Sequence, residues 1–330
     1  MSPDDRQTVL DELRGADKLF LTTHENPDGD ALGSLRAMEI VLSKLGKDVC
    51  LFMGASQFPL PAEYRHMDFS DVLHEPPSDL GERLVVFLDC GNIDRMPVDF
   101  LRDGEHRIVN IDHHHDNTRF GDVNLVVGGA SCTAEIIHEL AAELGVEVDK
   151  PLAEALYIAL VTDTGKFMFE NTTPAAHAMA ADLIANGVEP QVVHQRLYEG
   201  LPFSRIQLLA RALAAVRRYD DGALTLTHLT RDDFHLSEAK ESDSEGIVDH
   251  MRQVEGTLVA GLVRELLADD GRRKVSLRAT DGRVDVSAIA REFGGGGHRQ
   301  AAGFTTDMPF DALVERLRAE IGAQRQSAAV

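Results

Sequence analysis

The 330-residue chain contains no Trp, only four Tyr and only three Cys. With so few aromatic side chains it has no array on which successive bases of a long single strand could stack. Cys50, Cys90 and Cys132 are far apart and form no Cys-x-x-Cys pair, which argues against a disulfide framework or a thiolate zinc site. No apolar run approaches about 18 residues, so the sequence predicts no membrane-spanning helix.

Basic residues are also scarce, since 33 Lys and Arg stand against 55 Asp and Glu and give a net charge of −22. An acidic surface repels a polyanion, which argues against a long basic groove for nucleic acid. The polar N-terminal residues 1–14 lack the basic-then-apolar pattern of a signal peptide, so we expect a cytoplasmic protein.

The first half alternates short apolar runs with amphipathic runs. This alternation is typical of an α/β domain with a parallel sheet flanked by helices. The predicted strands are residues 19–23, 49–53, 84–88 and 108–111, and the predicted helices are residues 31–45, 133–144, 152–161 and 174–185.

A transition over residues 186–202 leads into a segment, residues 203–219, that is predicted to be one long connector helix. Strands at residues 223–229, 257–264 and 274–279, with helices between and after them, then predict a smaller α/β domain. The predicted organisation is a domain at residues 1–186, a linker with the connector helix at 187–220, and a second domain at 221–330.

Acidic and histidine residues follow the ends of the predicted elements in the first half. Because ligands of a parallel sheet bind at the carboxyl ends of its strands, we expect these side chains to gather at one edge. They are His24, Asp28 and Asp30 after the first strand, Asp89 after the third, Asp112, His113 and His114 after the fourth, and Asp163 after the helix that begins at residue 152.

Four gathered carboxylates would repel one another, and two divalent cations would balance their charge. Oxygen and imidazole ligands without thiolate suit manganese or magnesium better than structural zinc, although zinc and iron stay open. Taken singly, each motif also has a structural interpretation. Asp28 and Asp30 can be turn and cap residues. Asp89 and Asp163 can be partners of loop backbone, and residues 113–115 can be a surface tract. Their joint occurrence favours a two-metal site.

A second constellation lies near the end of the chain, where Gly294–Gly297 precede His298 and where Arg278 ends a predicted strand. Glycine backbone N–H groups let a phosphate approach closely, and the guanidinium is a forked phosphate ligand. A flexible linker is the alternative for a glycine run.

Together these motifs resemble those of the DHH phosphoesterases. The resemblance rests on His24-x-x-x-Asp28-Gly29-Asp30, on the strand-end Asp89, on Asp112-His113-His114 and on Thr162-Asp163. It implies that one metal ion is held by His24, Asp28 and Asp89, and the other by Asp30, Asp89, His113 and Asp163. It also implies that Asp112 steadies the site without binding metal and that His114 faces the scissile phosphate.

Arg278 and the segment GGGGHRQAAGF resemble the DHH-associated domain of type 1. This implies that the nucleotide is held by Arg278, Gly295, Gly296, Gly297 and His298. Length and spacing are most similar to the nanoRNase and pAp phosphatase subgroup, which implies two divalent ions, Mn²⁺ before Mg²⁺, and hydrolysis of short oligoribonucleotides or 3′-phosphoadenosine 5′-phosphate to mononucleotides. A homodimer is among the assemblies that the sequence allows. The family often has serine after the arginine, and Ala279 here implies that one hydroxyl contact to phosphate is absent.

Five other functions stay open. A RecJ-type single-strand exonuclease would be expected to be longer, and a manganese pyrophosphatase lacks the GGGGH segment. A phosphodiesterase for linear or cyclic dinucleotides is a close neighbour. A non-catalytic nucleotide sensor would be expected to lose a metal ligand, and a tRNA-binding module is disfavoured by the charge of −22.

Overall fold

The computed structural model describes residues 3–327 other than residues 97, 103, 269 and 270, and the side chains of residues 3, 4, 298 and 327 also fall outside the description. Two compact units make up the chain, Met1–Gly200 and Leu201–Val330. Within the described part of the chain, no helix is both long enough and apolar enough to cross a membrane.

The first unit contains a five-stranded parallel sheet. Its strands are β1 (Lys18–Thr22), β2 (Asp48–Phe52), β3 (Leu84–Leu88), β4 (Ile108–Asp112) and β5 (Val123–Val126). They lie in the order β2-β1-β3-β4-β5. The helices of this unit are α1 (Pro3–Gly15), α2 (Gly29–Lys44), α3 (Asp99–Arg102), α4 (Thr133–Glu143), α5 (Lys150–Asp163), α6 (Pro174–Ala185) and α7 (Pro190–Tyr198).

Two apolar clusters cover the two faces of this sheet. Val86 and Leu88 of β3 belong to the larger cluster, whereas Val85 and Phe87 of the same strand belong to the smaller one. Successive side chains of a strand point to opposite faces, so both faces of the sheet are buried. This explains the continuous apolar runs of the sequence and confirms the predicted parallel sheet flanked by helices.

Helix α2 packs closely against α5 because two of its residues are glycines. A Cβ added at Gly33 would lie 2.5 Å from the carbonyl oxygen of Ala155, and one added at Gly29 would lie 2.2 Å from Oγ1 of Thr162. The close approach brings the first turn of α2 beside the last turn of α5. It therefore places Asp30 near Asp163.

The second unit contains a six-stranded mixed sheet. Its strands are β6 (Arg217–Tyr219), β7 (Leu224–Leu229), β8 (Val259–Glu265), β9 (Arg273–Ala279), β10 (Gly296–His298) and β11 (Ala301–Thr306). They lie in the order β10-β11-β9-β8-β7-β6, and only β7 and β8 pair in parallel. The helices are α8 (Phe203–Ala214), α9 (Arg231–Leu236), α10 (Ile247–Arg252), α11 (Val286–Glu292) and α12 (Phe310–Ser327). A smaller α/β unit is thereby confirmed.

One local prediction is wrong, and two segments have structure that the sequence did not predict. The connector helix ends at Ala214, and the residues after it form β6, because they pair with β7 across a tight turn. The transition over residues 186–202 contains α7, whose first residue is Pro190, a position where the missing proline N–H is not needed. The glycine segment is partly strand β10, since it pairs with β11. The linker boundaries 187–220 stay a prediction.

Glycine substitutions in two helices test the contact between α2 and α5. We expect Gly33→Ala to destabilise the protein by roughly 1–3 kcal/mol, since the new methyl group meets backbone that cannot move away. Gly322→Ala is the matched control, because Gly322 lies in α12 and nothing lies within 4 Å of an added Cβ. It should be neutral or stabilising by about 0.5–1 kcal/mol. Urea unfolding measures both, and equal effects would contradict the helix contact.

Candidate functional site

The six side chains predicted to bind metal lie together at the carboxyl edge of the parallel sheet. The strand connections β1–α2, β3–α3 and β4–β5 supply four of them, and helices α2 and α5 supply the others. They form two groups of three, and the ligand atoms within each group lie within 4.8 Å of one another. One group is His24, Asp28 and Asp89, and the other is Asp30, His113 and Asp163.

Two histidines of these groups have their tautomers fixed by backbone carbonyls. Nδ1 of His24 lies 2.7 Å from the carbonyl oxygen of Glu25, and Nδ1 of His113 lies 3.4 Å from that of Ala130. A carbonyl only accepts, so each Nδ1 carries the hydrogen and donates it. In the neutral imidazole each Nε2 then presents a lone pair to the carboxylates, which is the arrangement of a metal-binding histidine.

Asp89 lies between the two histidines and faces each with a different oxygen. Its Oδ2 is 3.7 Å from Nε2 of His24, and its Oδ1 is 3.7 Å from Nε2 of His113. The residue has a φ of 56°, which is uncommon for a side chain other than glycine and places Asp89 outside the regular geometry of β3. Its two oxygens can thus serve both groups.

The second group surrounds Nε2 of His113. Oδ2 of Asp30 lies 3.8 Å from this nitrogen, and Oδ2 of Asp163 lies 3.7 Å from it. Two ligand atoms bound to one ion at about 2.1 Å are roughly 3–3.6 Å apart, only slightly closer than these pairs. The spacing is too long for hydrogen bonds between the side chains, and it fits donor atoms that share a cation.

Burial and mutual repulsion perturb the carboxylates of the site. Burial, with the negative charges of Asp89 and Asp163, raises the pKa of Asp30 well above its usual value. Burial also raises the pKa of Asp163. The pKa of Asp89 is lowered, because the three neighbouring imidazoles outweigh the effect of its own burial. A buried set of oxygens and imidazoles that repel one another fits divalent cations, whose charge removes the repulsion.

Asp112 is fully buried and takes no part in either group. Its Oδ1 accepts hydrogen bonds from the backbone N–H of His113 and from Nδ1 of His114, each at 2.8 Å, and its Oδ2 accepts one from Nδ2 of Asn117 at 2.5 Å. The hydrogen bond from His114 to Asp112 raises the pKa of His114 to about 9. His114 also lies 3.6 Å from Asp89, but this Nδ1 is directed to Asp112, which leaves Nε2 for a ligand.

Asp28 is a helix cap, as its structural interpretation predicts, and it is also a candidate ligand. Oδ1 of Asp28 accepts hydrogen bonds from the backbone N–H groups of Asp30 and Ala31, each at 3.1 Å, and so caps α2. The same carboxylate belongs to the group with His24 and Asp89. Capping occupies one oxygen, and the other can bind a cation.

Sequence reasoning missed several residues that hold the carboxylates in place, among them Thr133 and Asn171. Thr133 donates its hydroxyl hydrogen to Oδ1 of Asp89 at 2.9 Å and its backbone N–H to Oδ2 of Asp30 at 2.7 Å. Asn171 donates from Nδ2 to Oδ2 of Asp163 at 3.0 Å and to the carbonyl of Ser131 at 2.8 Å. Both follow ordinary helix or loop patterns, so only the tertiary fold reveals them.

In the second unit, Arg278 and the glycine segment occupy neighbouring strands. Arg278 of β9 pairs with Ala301 of β11, and Ala301 pairs with His298 of β10, so the three residues form one cross-strand row. Nε of Arg278 lies 3.6 Å from Oδ1 of Asp249, and its side chain is 30% exposed. The side chain of His298 lies outside the described residues.

The glycines at residues 295–297 differ in what their backbone positions require. A Cβ at Gly295 would lie 2.3 Å from the carbonyl oxygen of Gly303, and one at Gly297, which has a φ of 136°, would lie 2.5 Å from that of Ala301. Close pairing with β11 therefore requires both glycines. Nothing lies within 4 Å of a Cβ at Gly296, so an open face for a ligand is found there.

The expected loss of a phosphate contact at Ala279 is not supported by its position. Ala279 is 2% exposed and packs in the apolar cluster of this unit, whereas Arg278, the preceding residue of β9, lies on the other face. A hydroxyl at residue 279 would point into the core, away from the arginine.

Comparisons with known proteins agree with this architecture. The model of the DHH family, N-terminal domain, matches residues 18–160, and that of the DHHA1 domain matches residues 234–323. The bifunctional oligoribonuclease and PAP phosphatase NrnA of Thermus thermophilus is 34% identical over 323 residues, which are 95% of this chain and 92% of that protein. The protein of the same name from Bacillus subtilis is 27% identical over 291 residues, 87% of this chain and 88% of that one.

Solved structures share the fold. An exopolyphosphatase-related protein from Bacteroides fragilis superposes with a TM-score of 0.86 at 22% identity, over 100% of this chain and 98% of that one. RecJ from Thermus thermophilus in complex with Mn²⁺ gives 0.53 at 14% identity, over 99% of this chain and 55% of that one.

A parallel sheet edged with carboxylates and imidazoles, followed by a smaller mixed-sheet unit, defines a class of two-domain phosphoesterases. The chain belongs to the DHH family and carries a DHHA1 domain as its second unit. It is therefore a hydrolase of phosphate esters.

Thr133 offers a test of the site that does not remove a candidate ligand. Thr133→Val keeps the shape and the backbone N–H but loses the hydroxyl that orients Asp89. We expect the affinity for Mn²⁺ to fall about 10- to 100-fold, the usual effect of losing such a supporting hydrogen bond. Thr133→Ser, which retains the hydroxyl, should stay near wild type. Titration calorimetry measures both variants, and unchanged affinity in Thr133→Val would contradict this role.

Proposed function

We propose that this phosphoesterase hydrolyses short oligoribonucleotides and 3′-phosphoadenosine 5′-phosphate to mononucleotides with the help of two divalent metal ions. The relatives named as oligoribonuclease and PAP phosphatase support the substrate class, because one is 34% identical and both align over most of the chain. The oxygen and imidazole ligands support Mn²⁺ as the preferred ion, with Mg²⁺ as the second choice.

The observation that carries the proposal is the position of Asp89 between two imidazoles, 3.7 Å from each. A carboxylate that faces two ligand groups with separate oxygens is suited to bridge two ions. In this proposal one ion is held by His24, Asp28 and Asp89, and the other by Asp30, Asp89, His113 and Asp163. Five of the six are buried or partly buried, and Asp28 is exposed.

Two bound cations would supply a nucleophile at neutral pH and neutralise charge on the phosphoryl oxygens. The protein itself supplies the acid. Asp112 favours the imidazolium form of His114, in which Nε2 carries a hydrogen. We assign to Nε2 a hydrogen bond to the scissile phosphate and transfer of this proton to the leaving alkoxide. Asn117 holds Asp112 in place by a hydrogen bond to its other oxygen.

The second unit has the features of a phosphate-binding surface. Arg278 supplies a guanidinium, and Gly296 supplies backbone with nothing in front of it. A guanidinium and open glycine backbone together suit a phosphate that is not being cleaved. The ion pair of Arg278 with Asp249 must yield to such a ligand, so binding here is a competition between two anions.

Gly296 allows this surface to be blocked without disturbing the fold. We expect Gly296→Val to raise KM for a nucleotide substrate about tenfold or more, since a hydrogen bond to a charged group contributes roughly 1.5–3 kcal/mol. Gly282→Val is the control, because Gly282 also has open space around an added Cβ. Steady-state kinetics with thermal melting of both variants is the measurement. Equal KM values in two folded variants would remove Gly296 from the site.

Substrate length is the test of the proposed function. We expect kcat/KM to be highest at about two to five nucleotides and to fall toward 24, with a shallow salt dependence, because few phosphates are neutralised by the protein. The motivation is the net charge of −22 and the lack of Trp. Hydrolysis of an RNA series with Mn²⁺, at low and moderate salt, is the measurement. Rates that climb with length and fall steeply with salt would favour the RecJ-type alternative.

A control must show that the hydrolysis arises from this site. Asp89→Asn should abolish turnover on every substrate, because it removes the charge of the carboxylate whose two oxygens face the two groups. Asp17→Asn, at a fully exposed carboxylate, should not change it. Activity that survives in Asp89→Asn would belong to a contaminant or to another site.

A further inference from the structure

A strained loop follows Asp163 at the end of α5. Gly165, Lys166 and Phe167 have φ values of 54°, 61° and 63°, three left-handed residues in succession, of which two are not glycine. Such backbone costs free energy and persists where hydrogen bonds hold it. Here the backbone N–H of Lys166 donates to the carbonyl of Val161 at 2.8 Å, and that of Phe169 to the carbonyl of Thr164 at 3.0 Å.

The loop fixes the ring of Phe169 against Gly165. A Cβ added at Gly165 would lie 2.4 Å from Cζ and 2.5 Å from both Cε1 and Cε2 of Phe169. Nearly equal distances to three ring carbons place this position over the face of the ring, not at its edge. One face of the ring therefore covers the glycine backbone. The side chain remains 54% exposed, so the other face is open.

Both ends of this loop are tied to the candidate metal centre. The loop begins at Asp163, and Asn171 near its end donates to Oδ2 of the same aspartate at 3.0 Å. The backbone N–H of Thr172 in turn donates to the carbonyl of Phe169 at 3.1 Å. The ring is thus carried by a loop that begins at a candidate ligand and is hydrogen-bonded to the same ligand near its end. Met168, which directly precedes Phe169, is 82% exposed and extends the apolar surface.

We infer that the open face of Phe169 is the stacking surface for one nucleobase of the substrate. The inference rests on the proposed function and adds a base-binding residue to it. A rigid ring with one free face suits a flat heterocycle, and every base has a π-face, so the contact holds a base without reading its identity. One such ring serves one base, which agrees with short substrates.

The test removes the ring and the base separately. Substrates are 5′-phosphorylated diadenylate and two counterparts in which one adenosine, at either end, is an abasic ribose. For the wild type, loss of the stacked base should raise KM roughly tenfold, the loss expected for one base stack. Phe169→Ala should raise KM for the intact dinucleotide by a similar factor and leave the corresponding abasic substrate unchanged. Phe169→Trp should restore the wild-type pattern.

Two further variants separate stacking from structure. Phe169→Leu keeps apolar bulk over Gly165 without a π-face and should behave like Phe169→Ala. Phe203→Ala removes a phenylalanine that is 73% exposed in the second unit and should leave the discrimination between intact and abasic substrates unchanged. Melting temperature and Mn²⁺ content are measured for each protein.

Several outcomes would overturn the inference. If Phe169→Ala slows intact and abasic substrates equally, the ring only supports the Asp163 loop. If it changes the oligomeric state in light scattering without changing base discrimination, the surface is a contact between copies of the chain. If the wild type hydrolyses short RNA but ignores base removal at both ends, the inference fails while the proposed function stands. If the wild type hydrolyses no nucleotide, both fail.

Discussion

The structure depends on keeping several buried carboxylates close together. Asp30 and Asp89 are each about 1% exposed, and the pKa of Asp30 is raised by burial and by its acidic neighbours. The fold offsets this repulsion with donors: Thr133 and Ala134, the first residues of α4, donate their backbone N–H groups to Asp30. The positive end of a helix therefore faces a buried acid, which ties α2 to α4 as well as lowering the cost of the charge.

The same constraint explains the packing around the site. Asp30 can approach Asp163 because Gly29 and Gly33 let α2 lie directly on α5. Asp89 can face two imidazoles because its backbone leaves the β3 geometry at a φ of 56°. Glycines within a helix and a positive φ at an aspartate are each unfavourable on their own. They are concentrated at the edge where the carboxylates meet, which is the distribution expected of a preorganised site.

Sequence reasoning reached the parallel sheet and the candidate ligands because both follow from local signals. Buried strands give apolar runs, and residues that follow such runs, such as Asp89, must lie at a sheet edge. Thr133 and Asn171 could not be found this way, since their partners are brought to them by tertiary contacts. The residues after α8 carry a helical pattern but pair with β7, so a non-local contact overrides the local preference. The roles of the site residues stay predictions.

The proposed selectivity for short substrates would follow from the range over which charges act. At physiological ionic strength a surface charge is screened within about 8 Å. In the proposed function a dinucleotide would meet metal ions held by the candidate ligands, whereas each added nucleotide would extend over a protein whose net charge is −22. The added phosphates would meet acidic groups without stacking partners, and they would release few counterions because few basic groups would replace the salt. The acidic surface is then part of the specificity of the proposed enzyme, since it disfavours long strands without any residue that measures length.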